Sequence, residues 1–306
     1  MPGTSSLISL PPLNADEIRL AKQLRDDVTS LARDIGERNV SNKPAQLEAA
    51  AELIETSFRA AGYQPHSQWY KIGATQCRNI EVEIQGTAKP EEVVIVGAHY
   101  DSVPESPGAD DNASGVAVLL ALARDLIRTP VSRTLRFVAF TNEEPPYFWS
   151  GDMGSVVYAR KCRQQGDRVA AMLSIESVGF YSSAASSQHY PAGLGFLYPA
   201  KGDFVAFVGN TFSRSLVHRT LKTFRGARAL PSEGAAVPNA IPGAGWSDHW
   251  SFWQQGFPAI EITDTAPYRN PAYHTAQDTP DRLDYDRLAR FTRAMRTVIE
   301  QLTNSH

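Results

Sequence analysis

The stretch EEVVIVGAHY, residues 91–100, decides the fold class of this 306-residue chain. It is a continuous apolar run rich in β-branched residues, which is typical of a strand buried on both faces of a sheet. Similar segments recur further along the chain: TLRFVAFTN (134–142), RVAAMLSIES (168–177) and FPAIEIT (257–263). NIEVEIQG (79–86) alternates apolar and polar residues instead, which predicts a half-buried strand.

Helical patterns separate these strands. Residues 15–36 show helical apolar spacing up to Gly36, and the alanine-rich segment 43–63 is closed by Gly62. Further helices are predicted at 111–127, 154–166, 203–222 and 284–302, and a long loop at 180–202. Alternation of strands and helices predicts a three-layer α/β fold, with a mostly parallel (mixed) central sheet covered by helices on both faces.

The chain shows no internal repeat and no clear linker. We therefore expect a single domain over residues 1–306, in which N-terminal helices within 14–62 pack on an α/β core spanning 78–306. Two cysteines, Cys77 and Cys162, lack the spacing of a metal site. We interpret them as two ordinary thiols, with a single bridge as the alternative.

Composition narrows the class of partner. Lysine and arginine number 30 against 33 acidic residues, so the net charge of -3 favours neither nucleic acid nor an anionic membrane as partner. No apolar run approaches the ~20 residues that span a bilayer. Residues 1–14 lack the basic region of a signal peptide, so the chain as written is expected in the cytoplasm, with export as the alternative. We expect a monomer.

Residues able to bind a metal stand at or near the ends of the predicted strands, where α/β folds gather their ligands. They are His99 and Asp101, Asp110 and Asp111 in GADDN, the adjacent pair Glu143 and Glu144, Glu176, and His274 in the loop after the last strand. Each has a simple structural explanation: a surface histidine, a helix cap before a helix, or a solvated turn. Together, however, these carboxylates would repel one another unless a divalent cation lay between them.

The types of donor restrict which metal ion can bind. Imidazoles and carboxylates without thiolate suit zinc, and manganese or cobalt less well. The number of donors exceeds what one tetrahedral zinc ion needs, whereas two ions bridged by a carboxylate would use them all.

The motifs also resemble a known family. GAHYDS, GADDNASG, TNEE, SIESVGFY and PAYHTAQDT occur in the order found in the M28 family of dinuclear zinc aminopeptidases, from about residue 78 to the C-terminus. The resemblance implies a fold of the zinc-peptidase type and two Zn²⁺ ions per chain. One ion would be held by His99, Asp111 and Glu176, the other by Asp111, Glu144 and His274. It also implies a cis peptide bond between Asp111 and Asn112.

The resemblance further implies a metal-dependent exopeptidase acting on peptides with a free N-terminus. Glu143 would be the general base toward a zinc-bridged water, and Asp101 would fix the orientation of the His99 ring. Asp110 is as well explained by helix capping as by a direct role. His249 and His218 are not expected to be ligands.

We expect Trp246, Tyr268 and Tyr273 to line an apolar pocket for the first substrate side chain, so that apolar N-terminal residues are released. Asp248 is either the start of a helix or a group at the site. Trp250, Phe252 and Trp253 are expected in the core. NEEPPYFWSGDMGS (142–155) departs from the family's short glycine-rich link and is expected to reshape the pocket.

Three alternatives remain open at this stage. A glutaminyl cyclase would share the fold with a single zinc ion. A carboxypeptidase or another amidohydrolase would use the same scaffold on a different part of the substrate. A binding module without activity would lack one of the ligands or the base, and all of them are present here.

Overall fold

The computed structural model describes residues 1–3, 10–191 and 193–304, and shows an eight-stranded mixed sheet with the strand order β1-β2-β4-β3-β5-β8-β6-β7. The strands are β1 His66–Ile72, β2 Thr75–Ile84, β3 Lys89–His99, β4 Arg133–Phe140, β5 Arg168–Glu176, β6 Val205–Asn210, β7 Ser232–Val237 and β8 Ala259–Thr263. The four central strands β4, β3, β5 and β8 run parallel to one another. Antiparallel pairs join β1 to β2, β2 to β4 and β8 to β6.

The helices cover both faces of this sheet. They are α1 Ala15–Thr29, α2 Pro44–Ala61, α3 Gly115–Leu126, α4 Gly154–Gln165, α5 Arg214–Gly226, α6 His249–Gln254 and α7 Tyr285–Asn304. Helices α1, α2, α3, α5 and α7 contribute to one apolar core, and α4 and α6 to a second.

Strand β3 shows how the two cores form. Val94 and Val96 belong to the larger core, whereas Val93 and Ile95 belong to the smaller one. Since successive side chains of a strand point to opposite faces, an unbroken apolar run can serve both cores at once. The predicted three-layer α/β fold is confirmed.

Helix ends follow the local sequence. Asn14 accepts hydrogen bonds from the backbone of Asp16 and Glu17, and the Glu17 side chain accepts one from the Asn14 backbone, so α1 begins with a capping box. The predicted helix at 15–36 is α1 followed by a wider, π-helical turn over Ser30–Ile35. Helix α2 ends at Gly62, which adopts the left-handed conformation with φ of 102°.

The prediction of one helix over 203–222 is wrong. Its first part forms β6 and only the residues from Arg214 onward form α5. The segment VAFVGN is too short to show whether its apolar period is that of a strand or a helix. It pairs with β8 and β7 deep in the fold, and this long-range pairing decides its structure. The edge strands β1 and β7 were not predicted.

Other predictions concern the two cysteines, membrane-spanning segments and the N-terminal stretch. Cys77 and Cys162 are buried free thiols. Among the described residues, no helix is long and apolar enough to cross a membrane. The N-terminal stretch assessed as a signal peptide includes residues 4–9, which lie outside the described residues, as does residue 192 of the predicted loop.

Candidate metal centre

The predicted donors meet where adjacent strands end. His99 is the last residue of β3 and Glu176 the last residue of β5, and these two strands pair in parallel. Strand β4 is the other neighbour of β3, and Glu143 and Glu144 follow its end at Phe140. The carboxyl ends of parallel neighbours lie on one edge of the sheet, so three segments remote in the chain deliver side chains to the same crevice.

Asp111 reaches this crevice from the turn that precedes α3. The carboxylate of Asp278 accepts hydrogen bonds from the backbone N–H groups of Asp110 and Asp111, which fixes the turn from the opposite side. The Asn112 side chain donates to Ile175 O at 2.9 Å, tying the same turn to β5. The peptide bond between Asp111 and Asn112 is cis, as the resemblance implied.

Two groups of donors share the Asp111 carboxylate. His99 Nε2 lies 3.2 Å from both Asp111 Oδ1 and Glu176 Oε2. His274 Nε2 lies 3.1 Å from Asp111 Oδ2 and 3.2 Å from Glu144 Oε2. The five residues thus form two sets of three donors with one oxygen of Asp111 in each set.

The donor atoms are suited to zinc. Bonds of about 2.0–2.1 Å at a tetrahedral angle place two ligands of one zinc ion roughly 3.3 Å apart, close to the spacing within each set. Despite that proximity, several of the donor atoms make no hydrogen bond: Nε2 of His99, Oδ1 of Asp111 and Nε2 of His274. Buried polar atoms without a partner are costly. A bound cation would satisfy them, so these residues fit the metal pair that the sequence predicts.

The adjacent glutamates differ in their surroundings. Asn142, directly before them, adopts a φ of 56°, so the backbone turns sharply where β4 has ended. Asp101 then accepts a hydrogen bond from the backbone N–H of each glutamate, at 3.1 Å. Glu144 approaches His274, whereas Glu143 Oε2 lies 3.9 Å from His99 Nε2 and belongs to neither donor set.

Burial raises the pKa of both glutamates of this pair. Desolvation, together with the neighbouring carboxylates, raises the pKa of Glu143 well above its ordinary value and that of Glu144 to about 7. A cation bound at Glu144 would favour its ionised form, while Glu143, which is not among the donors, would remain the group able to exchange a proton.

An apolar cavity opens beside the donors. Glu176 and Tyr273 form its boundary with the candidate metal centre, and its walls include Leu194, Val208, Ile241, Trp246 and Tyr268. The structure thus brings Trp246, Tyr268 and Tyr273 to one cavity. Trp246 and Tyr268 stack with centroids 6.2 Å apart, and Tyr273 stacks on the ring of His274 at 3.8 Å.

Other predicted residues lie outside the cavity. Asp248 directly precedes α6, is fully buried and is not part of the cavity wall. Phe252 and Trp253 are buried in the smaller core. In the segment 142–155, Trp149 stacks on Trp250 and donates to Gly245 O, so the segment packs against the chain next to Trp246 without lining the cavity.

Two further histidines, His249 and His218, and the aspartate Asp110 lie outside the donor sets. The Asp110 carboxylate accepts hydrogen bonds from Gly179 N and Asn270 Nδ2. His249 is buried with Nε2 2.8 Å from Ala244 O, and His218 is exposed on α5. None of these three belongs to the donor sets found among the described residues.

Three supporting residues were not predicted from the sequence. Ser247 donates to Glu176 Oε2, and Asp278 holds the Asp111 turn. Asp278 stands inside PAYHTAQDT, four residues after His274, so its position in that motif was an available signal. Arg38 is fully buried and donates to the backbone carbonyls of the loop after β3, and nothing in its local sequence marks it.

Comparison with known proteins gives a consistent picture. The model of Peptidase family M28 matches residues 79–299 of this chain. The uncharacterized protein YfbL of Escherichia coli (strain K12) is 38% identical over 91% of this chain and 87% of its own length. A probable leucine aminopeptidase of Arthroderma otae is 29% identical over 78% of this chain, and the chain spans 60% of that relative's length.

Solved structures show the same fold. A zinc aminopeptidase from Bacillus subtilis, BSAP, superimposes with a TM-score of 0.71 at 17% identity, covering 93% of this chain and 95% of that one. The glutaminyl cyclase of Porphyromonas gingivalis gives a TM-score of 0.68 at 21% identity, covering 92% and 98%. At such identities the likeness concerns the fold alone, and the choice between these chemistries depends on the residues of the site.

Proposed function

The chain belongs to peptidase family M28, and on that basis we propose that it is a zinc aminopeptidase that releases N-terminal residues from peptides. The observation that carries the proposal is the pair of donor sets that share Asp111. His99, Asp111 and Glu176 would hold one zinc ion, and Asp111, Glu144 and His274 the second. When bound, zinc lowers the pKa of a water molecule toward about 7 and polarises the scissile carbonyl.

Glu143 is the proton carrier in this proposal. It lies beside His99 without joining either donor set, and it is almost fully buried. Its carboxylate takes a proton from the attacking water and passes it to the departing amine, as a general base that then acts as a general acid. Asp101 fixes both glutamates through their backbone N–H groups and thereby holds Glu143 in place.

The substrate is a peptide with a free amino terminus. Its first side chain enters the apolar cavity, where Trp246, Tyr268 and Tyr273 supply much of the wall. This lining supports the expectation from the sequence that the released residue presents an apolar surface. The α-amino group would lie at the boundary of the cavity, next to the acidic residues of the candidate metal centre.

A single-zinc glutaminyl cyclase is the main rival, since a protein with that activity shares the fold. The second donor set argues against it, because a single ion would leave buried donors of the other set without a partner. A carboxypeptidase or another amidohydrolase on the same scaffold is the further alternative.

Two measurements test the proposal. Metal analysis of the zinc-loaded protein is expected to give about two ions per chain, against one for the cyclase. Leucine p-nitroanilide is expected to be hydrolysed and N-acetyl-leucine p-nitroanilide to resist, since the acetyl group removes the amine. Equal hydrolysis of both substrates, or turnover of glutaminyl peptides to pyroglutamyl products, would overturn it.

A further inference from the structure

Besides Glu176, two carboxyl side chains lie in the wall of the apolar cavity, Glu261 and Glu233. Glu261 belongs to β8, between the strand that ends in Glu176 and the strand β6. A buried carboxyl group in a mainly apolar wall requires an explanation, because a partnerless carboxylate is among the most costly groups to remove from water.

The strand register fixes where these groups stand. Glu176 pairs with Thr263, Thr263 with Ala206, and Ala206 with Glu233, so these four residues form one row across the sheet. Glu261 lies two residues before Thr263 and therefore on the same face. With strands ~4.8 Å apart and a rise of ~3.3 Å per residue, the Cα atom of Glu261 is about 8 Å from that of Glu176, and that of Glu233 about 14 Å.

Glu261 has no cationic partner among the described residues. Its side chain makes no hydrogen bond within the described part of the chain, and Nε2 of His249 is the one basic side-chain nitrogen there that lies within 4.0 Å. That nitrogen lies 2.8 Å from Ala244 O, and burial lowers the pKa of His249 to about 4, so this imidazole is neutral at physiological pH. Glu261 is only 6% exposed, so bulk water does not solvate it as it would a surface carboxylate.

Glu233 differs in this respect. One of its oxygens accepts a hydrogen bond from Gly3 N, and the positive charge of Arg225 acts on it. It is also separated from the candidate metal centre by two intervening strands. A side chain that begins at the metal centre therefore meets Glu261 before it reaches Glu233.

We propose that Glu261 recognises the cationic end of the first substrate side chain, so that the preferred N-terminal residue is lysine or arginine rather than leucine. Both side chains combine a long apolar stem with a charged end. The stem packs on Val208, Ile241 and Tyr268, and the ammonium or guanidinium group pairs with Glu261. Leucine would fill the apolar part and leave the carboxyl group buried without a partner. This inference rests on the proposed aminopeptidase activity and refines its substrate class.

The test compares substrates that differ only in the charged group. Values of kcat/KM are measured for the p-nitroanilides of lysine, Nε-acetyl-lysine, norleucine and leucine with the zinc-loaded protein. Since a hydrogen bond to a charged group contributes about 1.5–3 kcal/mol, lysine is expected to exceed norleucine by roughly 10–100-fold. Equal values for lysine and norleucine, or a preference for leucine, would overturn the inference.

Matched variants then assign the effect to one carboxyl group. Glu261→Gln keeps the size and shape of the side chain. It is expected to bring the ratio of kcat/KM for lysine to kcat/KM for norleucine down to about one. Glu233→Gln removes a carboxyl from the same cavity and is expected to leave that ratio unchanged. Loss of the ratio in Glu233→Gln, or in both variants equally, would contradict the assignment to Glu261.

Failure of this inference can be told apart from failure of the proposed function. If leucine p-nitroanilide is hydrolysed without a preference for lysine, only the specificity is wrong. If no substrate is hydrolysed, the proposed aminopeptidase activity is wrong, and the role of Glu261 is then tested by measuring ligand binding. In that case L-lysinamide should raise Tm more than L-norleucinamide in the wild type but not in Glu261→Gln, and equal shifts would reject the role of Glu261.

Discussion

Oδ1 of Asp101 lies 3.4 Å from Nδ1 of His99, while Nε2 of the same imidazole faces Asp111 and Glu176. A carboxylate behind a ligating histidine fixes the orientation and tautomer of its ring. Asp101 also accepts hydrogen bonds from the backbone of Glu143 and Glu144, so one buried side chain links the end of β3 to the segment that follows β4.

Replacement of Asp101 by asparagine should therefore weaken the whole centre. The asparagine side chain keeps one acceptor oxygen. Its NH₂ group, however, would face either the backbone N–H of one glutamate or the ring of His99. We expect zinc affinity or activity to fall by about 10–100-fold. Competition with a chromophoric chelator measures the affinity, and steady-state kinetics measures the activity. Unchanged values of both would show that Asp101 has no positioning role.

The variant Glu143→Gln separates proton transfer from metal binding. Because Glu143 is outside both donor sets, zinc content should remain that of the wild type, while kcat should fall by about 10²–10⁴ as general-base catalysis is lost. Glu91→Gln, which changes an exposed carboxyl near the start of β3 and so far from His99 at the end of that strand, serves as the control. Loss of zinc in Glu143→Gln would instead make this residue a ligand.

His274→Ala should remove one ion and keep the other. It deletes a donor of the set that contains Glu144, whereas the set of His99, Asp111 and Glu176 stays complete. We expect metal analysis after dialysis to give about one zinc per chain. His218→Ala, an exposed histidine of α5, should retain two. A wild-type zinc content in His274→Ala would contradict the ligand assignment.

Arg38 should be among the residues most important for stability. Its guanidinium is fully buried and donates to Tyr100 O at 2.6 Å, Pro107 O at 2.6 Å and Gly108 O at 2.9 Å. Arg38→Ala would leave those carbonyls and the nearby carboxylates of Asp101 and Asp278 without this cation. We expect the free energy of unfolding to fall by about 3–5 kcal/mol, as for other broken buried pairs.

Urea unfolding at a fixed zinc concentration measures this change. Lys22→Ala is the matched control, since its ion pair with Asp26 is exposed on both sides. Such pairs contribute at most about 1 kcal/mol. A similar small loss in Arg38→Ala would show that the loop after β3 does not depend on its buried cation.

Sequence periodicity predicted the central part of the fold well. The strands β3, β4, β5 and β8 were found because strands buried on both faces are mostly apolar along their length. The edge strands β1 and β7 were missed, since their residues are more polar and are only partly buried. The error at β6 has a related cause: six residues are too few to reveal a period, and pairing with β8 is what makes them a strand.

The sequence indicated the candidate donors, because metal chemistry restricts the residue types and strand ends are the positions that converge. Which five of them form the two donor sets was implied by the resemblance to the M28 family. The sequence did not show which other residues hold these donors in place or lie beside them. Three features depend on contacts between residues far apart in the chain: the hydrogen bonds that Asp101 accepts from two glutamates, the burial of Arg38, and the position of Glu261 beside His249. Local patterns fix which face of an element is apolar, whereas the partner of a buried polar group is decided only when the elements pack.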